Sequence, residues 1–369
     1  MEINPVLKVA NKGCNLDCRY CFYNKQTRGK KIMPLEVLEM VIKEVCEHNQ
    51  GDIIFIWHGG EPLLAGVEFY QQAFQLQERY KKPTQKIINS IQTNGTLINA
   101  EWGNIFKRYS VIVGVSLDGP KDLHDKHRQF PNGKGSFEEV MRGIEFLKSF
   151  GVDFAVISVV TQETMKIPEE VFDFLISQNP IWVNFVPSLA TLSGPALSFE
   201  QSIQPSEYIE FLIKIFGLWL KRGDYRIKIL PMETIICGFL EKEHRDYRLV
   251  GECKKRLDVR SCERNLVVIP NGDVKTCAFH SYRDVFEFGN IKAGLATILN
   301  SSRYQQYQEH LRAIKKRCST CKWYRVCPNG CPRDFYIGGI NGLFCKESPR
   351  LFRFIQESLD GYQIAKEWA

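Results

Sequence analysis

The feature that most constrains this 369-residue chain is a series of short apolar runs separated by helical patterns. Runs at Val6–Val9, Ile53–Trp57, Lys86–Gln92, Val111–Ser116, Phe154–Val160 and Trp182–Val186 are continuous rather than alternating. That suits parallel strands covered on both faces. Between them, Leu38, Val41, Ile42 and Val45 keep a helical period after Pro34. Residues 65–80, 100–108, 136–150 and 169–177 read as further helices. Strands alternating with helices imply βα repeats with right-handed crossovers. A partial (β/α)6 barrel and an open sheet both satisfy the count.

The second half reads differently. Residues 187–205, PSLATLSGPALSFEQSIQP, have no period and read as a linker or substrate-facing loop. Helices are expected over 206–222 and 232–241. LVVIPNGDVKTCAF holds two short strands around Pro270-Asn271-Gly272, a hairpin signal. A block rich in Cys, Gly and Pro follows, then a helix over 350–362.

Composition narrows the class. Apolar content of 44% and charged content of 25% belong to a soluble globular protein. No apolar run reaches the roughly 18 residues of a membrane span. The start, MEINPVLKVANKG, lacks the apolar core of a secretory signal, so a cytoplasmic location is expected. A net charge of +7, with scattered Lys and Arg, does not argue for nucleic acid. Knots such as Lys30-Lys31 and Lys315-Lys316-Arg317 read as solvated surface. The 13 cysteines are the informative count. Cys46 and Cys237 stand alone in helical patterns, as buried free thiols do. The rest fall in two blocks, and clustered cysteines in a cytosolic chain point to metal rather than to disulfides.

The first block is GCNLDCRYCFY, with Cys14, Cys18 and Cys21 spaced C-x3-C-x2-C directly after the first expected strand. A four-iron cubane needs one ligand per iron, and four cysteines make a closed electron-transfer cluster. Three leave one iron open, which is what chemistry requires, as it does at catalytic zinc. Loops at the carboxyl edge of a parallel sheet are where ligands bind. The spacing alone leaves a zinc site completed from elsewhere as an alternative.

With Tyr20 just before the third cysteine, this block resembles the signature of the radical S-adenosylmethionine (SAM) enzymes. The resemblance implies that SAM chelates the open iron through its amino and carboxylate groups. It extends to Gly59-Gly60-Glu61-Pro62 after the second strand. There the glycines would let backbone approach the ligand, and Glu61 would pair with the SAM ammonium. Ser116, in VSLDGP, and Arg128, in HDKHRQF, would bind the SAM carboxylate or ribose by the same resemblance. Thr93-Asn94-Gly95 is either a plain turn or a substrate contact. His124 and His127 share a helix or turn with Arg128, and nothing else favours zinc there.

The second block has Cys253, Cys262 and Cys277, then Cys318-x2-Cys321-x5-Cys327-x3-Cys331, then Cys345. A single C-x2-C pair fits zinc ribbons poorly. The arrangement resembles the SPASM domain of radical SAM enzymes. By that resemblance Cys253, Cys262, Cys277 and Cys331 hold one auxiliary [4Fe–4S] cluster. Cys318, Cys321, Cys327 and Cys345 hold another, for three clusters in all. Implied domains are a partial barrel over 1–190, bridging helices over 191–250, the SPASM domain over 251–348 and a terminal helix over 349–369.

Within the family the chain resembles the anaerobic sulfatase-maturing branch and related peptide modifiers. GGEPLLAGVEFY, QTNGTLI and CKWYRVCPNGC carry that likeness. The branch has an Asp base directly after the cysteine matched by Cys277, and this chain has Ala278. A methyl group accepts no proton, so formylglycine formation becomes the alternative. The main expectation is oxidation of a ribosomal precursor peptide to a cyclophane or thioether crosslink by a 5′-deoxyadenosyl radical. His280 is a replacement base or a structural histidine. Tyr23 and His58 flank the radical site as substrate contacts or as packing. The expected partners are the peptide and a reductase such as flavodoxin or ferredoxin. With the first strand near residue 6, a leader peptide would use the barrel rim, the 187–205 segment or a partner. A non-catalytic iron–sulfur carrier is the reading from another class, and a zinc-binding interaction protein a third. The Gly59-Gly60-Glu61 element opposes the carrier, which needs no SAM site.

Overall fold

Continuous apolar runs do form buried parallel strands. In the computed structural model, residues 2–21, 23, 31–189, 201–240, 264–276, 286–327 and 342–361 are described. The first half gives β1 (Asn4–Lys8), β2 (Ile53–His58), β3 (Ile87–Thr93), β4 (Ile112–Ser116), β5 (Phe154–Val160) and β6 (Trp182–Pro187). All pair in parallel in sequence order, as right-handed βα repeats require. The helices between them are α1 (Leu35–His48), α2 (Val67–Tyr80), α3 (Ala100–Arg108), α4 (Lys121–His127), α5 (Phe137–Ser149) and α6 (Pro168–Ser177). Each expected strand and helix of this half is present, with ends moved by one to two residues.

Beyond β6 come α7 (Pro205–Arg222), β7 (Lys228–Leu230) and α8 (Met232–Leu240). Pro205 opens α7 at a position that needs no N–H. Gln204 and Glu207 close a capping box, and Gly223 ends the helix in the left-handed region at φ 68°. Its buried stripe of Phe211, Ile215, Phe216 and Trp219 joins the main core. Each such side chain contributes about 1.5–3 kcal/mol on leaving water. β7 adds a seventh parallel strand beside β6 that hydropathy did not suggest, being three residues long.

The hairpin at Pro270-Asn271-Gly272 is present as β8 (Asn265–Val268) and β9 (Asp273–Lys275). Its placement is the main departure from the sequence reading. β8 pairs in parallel with β1, Val6 opposite Val267, so the sheet crosses the expected boundary at residue 251. With β10 (Glu287–Asn290) the sheet reaches ten strands in the order β10-β9-β8-β1-β2-β3-β4-β5-β6-β7. Then come α9 (Leu295–Leu299), α10 (Ser302–Cys318) and α11 (Ser348–Gly361). α10 went unread because its apolar stripe is sparse: Tyr304, Tyr307, Leu311 and Ile314 among charged residues. The Ser301 side chain caps it by accepting the Tyr304 N–H at 3.2 Å.

The two sheet faces differ by strand parity. Leu7, Phe55, Trp57, Ile91, Val113, Val115, Val156 and Val183 face the helices in the main core. On the other face, Val6, Ile54, Ile56, Ile88 and Val267 form a small apolar floor. One step along each strand, toward its carboxyl end, the same face turns polar: Lys8, His58, Gln92 and Ser116. Gln92 Nε2 donates to Ser116 Oγ at 3.1 Å, and Gln92 lies where a Cβ on Gly114 would be, 2.2 Å from its Oε1.

The shared sheet makes the second half a structural partner of the first. Leu266→Ala, at a position 3% exposed, should destabilise the chain by about 2–5 kcal/mol. The check is a lower urea midpoint, followed by tryptophan fluorescence of the barrel, at unchanged slope.

Candidate radical site

Where β2 ends, the chain must pass close to the loop that follows β1. Gly59 and Gly60 have φ of 83° and 48°. A Cβ on Gly60 would sit 1.9 Å from the Gly13 carbonyl oxygen. Only glycine fits there. The approach lets the Glu61 N–H donate to that same carbonyl at 2.7 Å, fixing the backbone beside Cys14.

Glu61 is fully buried. Its Oε1 accepts from the Leu63 N–H at 2.9 Å and the Thr93 hydroxyl at 2.8 Å, and Oε2 accepts from the Asn94 N–H at 2.7 Å. The carboxylate thus ties the end of β2 to the end of β3 and keeps one open lone-pair position on Oε2. Burial raises it to about 7, against the pull of those three donors. An ammonium at the open position would restore its charge.

Cys14, Cys18 and Cys21 are free thiols whose charges act on one another. Burial pushes Cys14 up to about 11 and Cys18 up to about 12. Cys14 Sγ accepts from the Leu16 N–H at 3.4 Å and Asn94 Nδ2 at 3.7 Å. Asn94 also donates to Asn15 Oδ1 at 2.8 Å. Thr93-Asn94-Gly95 is therefore more than a turn. N–H donors on a ligating sulfur are a lever on cluster potential. The cysteine loop is pinned from its other side as well, by Asp17 N–H to Gln129 C=O at 2.6 Å and Arg19 N–H to His127 C=O at 2.9 Å.

Arg128 lies beside Cys18 and lowers that thiol against the larger effect of burial. Its fork was expected to meet a SAM carboxylate or ribose. Nε and Nη2 grip Asp118 at 3.0 and 3.1 Å, leaving Nη1 and one Nη2 proton for a ligand. Asp118 also accepts from the Val159 N–H at 3.0 Å and from the Tyr20 hydroxyl. The Tyr20 ring lies 5.3 Å from the guanidinium. Tyr20 thus props the Asp118–Arg128 pair. Asp118 was missed, although its place in VSLDGP at a strand end was a signal. Burial alone would raise the Asp118 carboxyl, but Arg128, His124 and the Tyr20 hydroxyl hold it below the ordinary value. His124 Nδ1 accepts the Asp118 N–H at 3.4 Å, so its Nε2 donates to Ser136 Oγ at 3.1 Å. His127 is close to Thr161 and Glu163. Both histidines support the Arg128 segment.

Tyr23 and His58 come together around Lys8, a lysine with no solvent exposure whose Nζ lies 4.8 Å from the Tyr23 ring centroid. Burial, aided by the Lys8 charge, lowers His58 to about 4. The neutral imidazole takes the Gly59 N–H on Nδ1, which leaves Nε2 as a donor. That geometry casts His58 as a hydrogen-bond donor to a ligand rather than a base. Ala278, His280, Cys253, Cys262, Cys277 and Cys331 lie outside the described residues.

Known proteins share this arrangement. The Radical SAM superfamily model matches residues 9–175, and an iron–sulfur cluster-binding (SPASM) model matches residues 261–322. A cysteine-type anaerobic sulfatase-maturating enzyme of Clostridium novyi is 30% identical over 95% of this chain and 94% of its own. This chain belongs to the radical SAM/SPASM family. A serine-type anaerobic sulfatase-maturating enzyme of Klebsiella aerogenes is 30% identical over 92% of this chain and 82% of its own. The solved structure of native anSMEcpe with bound AdoMet and Cp18Cys peptide covers 98% of this radical SAM/SPASM chain and 99% of its own, with a TM-score of 0.84 and 28% identity. Streptococcus suis SuiB bound to precursor peptide SuiA covers 90% and 72%, with a TM-score of 0.62 at 14% identity, and shares the fold.

As a radical SAM/SPASM enzyme the chain uses SAM and iron–sulfur clusters. The residue chemistry fits them: three thiols of one loop that act on one another's charge, with N–H support on one sulfur, a buried carboxylate short of a cation, and a guanidinium with donors to spare, although no three side chains among the described residues are already closed around a metal position. In the second cysteine block, Cys345 and Cys321 act electrostatically on Cys318. Cys321 N–H donates to Cys318 C=O at 2.9 Å, the turn that Cys21 and Cys18 make at 3.1 Å.

Asp118→Asn should cost about 3–5 kcal/mol of stability, since it strands a buried guanidinium. The parent carboxyl lies below its ordinary value of 3.8. The stability it contributes is therefore present above that pH and lost as pH falls through the folded-state value. Denaturation midpoints measured from neutral pH down into this acid range should show the fall in the parent and a flatter profile in the variant.

Proposed function

We propose that this chain oxidises a side chain of a peptide or protein substrate, removing two hydrogens, and that its product is formylglycine: a sulfatase serine gives the aldehyde directly, and a cysteine gives a thioaldehyde that water converts to the aldehyde with release of hydrogen sulfide. The observation that carries this reading is the 30% identity to a sulfatase-maturating enzyme across 95% of the chain. In this reading Cys14, Cys18 and Cys21 hold the first cluster, and Glu61, Ser116 and Arg128 hold SAM. Bound there, cluster and SAM supply a carbon-centred radical that takes a hydrogen atom. The protein's part is to present the substrate carbon over the polar row of Lys8, His58, Gln92 and Ser116, with the apolar floor below excluding water. Cys253, Cys262, Cys277 and Cys331 hold one auxiliary cluster, and Cys318, Cys321, Cys327 and Cys345 the other. A cytoplasmic location and a reductase such as flavodoxin or ferredoxin go with it. No described helix is long and apolar enough to cross a membrane.

Oxidation also releases a proton, and residue 278 cannot accept it. Glu233 is the described carboxyl suited to the task. It opens α8 at the carboxyl end of β7 and is 2% exposed. Burial raises it to about 7 against the pull of Lys228, 3.9 Å away, and Oε1 has no hydrogen-bond partner. Ala278 favours a second reading, a crosslink in a ribosomal precursor peptide, in which the substrate radical closes on a partner group.

The test is anaerobic incubation of the reconstituted chain with SAM, dithionite and sulfatase-motif peptides carrying Cys or Ser. Formylglycine appears as a mass loss with a hydrazide-trappable aldehyde. 5′-Deoxyadenosine formed beside unchanged peptide sinks the sulfatase reading. Loss of two hydrogens without aldehyde, in a precursor peptide co-expressed from a neighbouring small reading frame, supports the crosslink. Replacing Cys14, Cys18 and Cys21 together by Ala should abolish 5′-deoxyadenosine while iron stays in the second block. Glu233→Gln should cut peptide oxidation about 100-fold or more while SAM cleavage continues, since general-base catalysis is worth that much.

A further inference from the structure

One backbone group decides how the Asn94 side chain lies. The Thr96 N–H meets Asn94 Oδ1 at 3.0 Å. A backbone N–H can only donate, so the atom that receives it is the amide oxygen. The amide nitrogen therefore faces Cys14 Sγ at 3.7 Å and Asn15 Oδ1 at 2.8 Å, with one proton for each. The other roles follow by elimination. Thr96 Oγ1 lies 2.7 Å from the same Asn94 oxygen, which has no proton to give, so the hydroxyl donates. With that proton committed, Thr96 Oγ1 accepts from Asn15 Nδ2 at 2.8 Å. Asn15 Oδ1 is then left for Asn94. Asn15, Thr96 and Asn94 close a ring in which every donor and acceptor is determined. Asn94 and Thr96 are each 7% exposed, so water competes little for these bonds.

The ring ties the loop after β1 to the loop after β3 and brings a second donor to Cys14, beside the Leu16 N–H at 3.4 Å. Burial and, after it, the Glu61 carboxylate disfavour charge on this sulfur, and the Leu16 and Asn94 N–H groups oppose them. A four-iron cluster that takes an electron becomes more negative, and its ligating sulfurs share the added charge. A fixed N–H on one of them favours the reduced form.

We propose that Asn94 is a positioning residue for reduction of the first cluster: its amide N–H, aimed at the Cys14 sulfur by Thr96, raises that cluster's midpoint potential. The inference rests on Cys14, Cys18 and Cys21 holding the cluster, and it adds which neighbour makes the electron easier to accept. The step is one electron passing from the reductant to the oxidised cluster, with no bond made or broken in the protein. The Leu16 donor is backbone and would come with most residues there. The Asn94 donor is a side chain, and Asn15 and Thr96 act through it.

The experiment is a potentiometric titration of the full iron-loaded chain with dithionite, without peptide, followed by electron paramagnetic resonance. The signal absent from the Cys14→Ala/Cys18→Ala/Cys21→Ala variant reports the first cluster. Asn94→Leu, which removes the N–H at similar volume, should lower the ratio of reduced to oxidised first cluster about tenfold at a fixed solution potential, or about 59 mV for a one-electron couple. Thr96→Val should shift it the same way by less, and Thr96→Ser, which keeps the hydroxyl, should hold the parental midpoint. The auxiliary midpoints should stay put in every variant. Asn99→Ala removes the exposed cap of α3 from the same loop and should match the parent, which separates loosening of the loop from loss of the N–H. If Asn94→Leu does not load iron at the first block, Thr96→Val decides. A parental midpoint in the deciding variant, or an equal fall in Asn99→Ala, overturns the proposal. A parent with no signal missing from the triple variant overturns the ligand assignment and the proposal with it. Formylglycine formation is scored in its own assay, so an unmoved midpoint leaves the reaction assignment standing.

Discussion

Everything at the radical site depends on one close backbone contact, Gly60 against the Gly13 carbonyl. Two loops at the carboxyl edge of a parallel sheet have no hydrogen-bond ladder to hold them together. Here the ladder ends at Lys8 and His58, the last paired residues of β1 and β2. The Glu61 N–H to Gly13 bond extends it by one rung into the loops. That rung exists because Gly60 has no Cβ. The Glu61 side chain then fastens β3 through Thr93 and Asn94, and Asn94 reaches back to Cys14 Sγ. Three strand ends are so locked around one sulfur by a chain of contacts that starts with a missing methyl.

Asp118 and Arg128 perform the corresponding task on the other flank. A buried ion pair is expensive unless every donor and acceptor is placed. All four acceptor positions of Asp118 are filled, two of them by Arg128. The remaining Arg128 protons face a site beside Cys18. The pair thus holds a cation next to the Cys18 thiol without presenting all of it to solvent. This is a use of a buried ion pair in which position, more than stability, is what the fold gains.

The barrel half was readable because both of its signals are local. Continuous apolar runs such as IIFIWH, and the period of Leu38, Val41, Ile42 and Val45, are set by neighbours along the chain. The cysteine spacing and Gly59-Gly60-Glu61 were legible for the same reason. What stayed hidden is non-local. β7 is three residues long and takes its identity from pairing with β6. β8 reads as half of a hairpin, and nothing in NLVV says that its other edge meets β1. α10 buries two tyrosines, a leucine and an isoleucine, too few to stand out in a charged stretch. At the site, Asp118 looks like a turn residue until its four partners arrive from Tyr20, Arg128 and Val159. Lys8 was not singled out from sequence, where it sits inside the apolar run PVLKVA. Its burial follows from the parity that sends Val6 and Lys8 to the same face of the sheet as Ile54, Ile56 and His58.

The sheet that joins the halves bears on chemistry as well as on stability. In the proposed reaction, a radical formed beside Cys14 and an auxiliary cluster held by Cys318 would be useful together only if their separation were fixed. Linker residues cannot fix it, but β8 on β1 can, and further contacts triangulate it. Leu295 N–H donates to Glu44 Oε2 of α1 at 2.7 Å. Gly238 of α8 lies against the backbone of Arg325 and Val326, inside the Cys321–Cys327 loop. Tyr208 and Phe216 of α7 meet Phe344 and Phe354 at 5.7 and 6.1 Å. One tie is a ladder, one a hydrogen bond to a helix, and two are apolar packing. They act on different sides of the second cysteine block, so loosening one leaves the others in register. In the proposed reaction, a substrate that met the first block beside the second would thus be served by one frame, and the chain's choice of substrate would be left to the residues that line the space between.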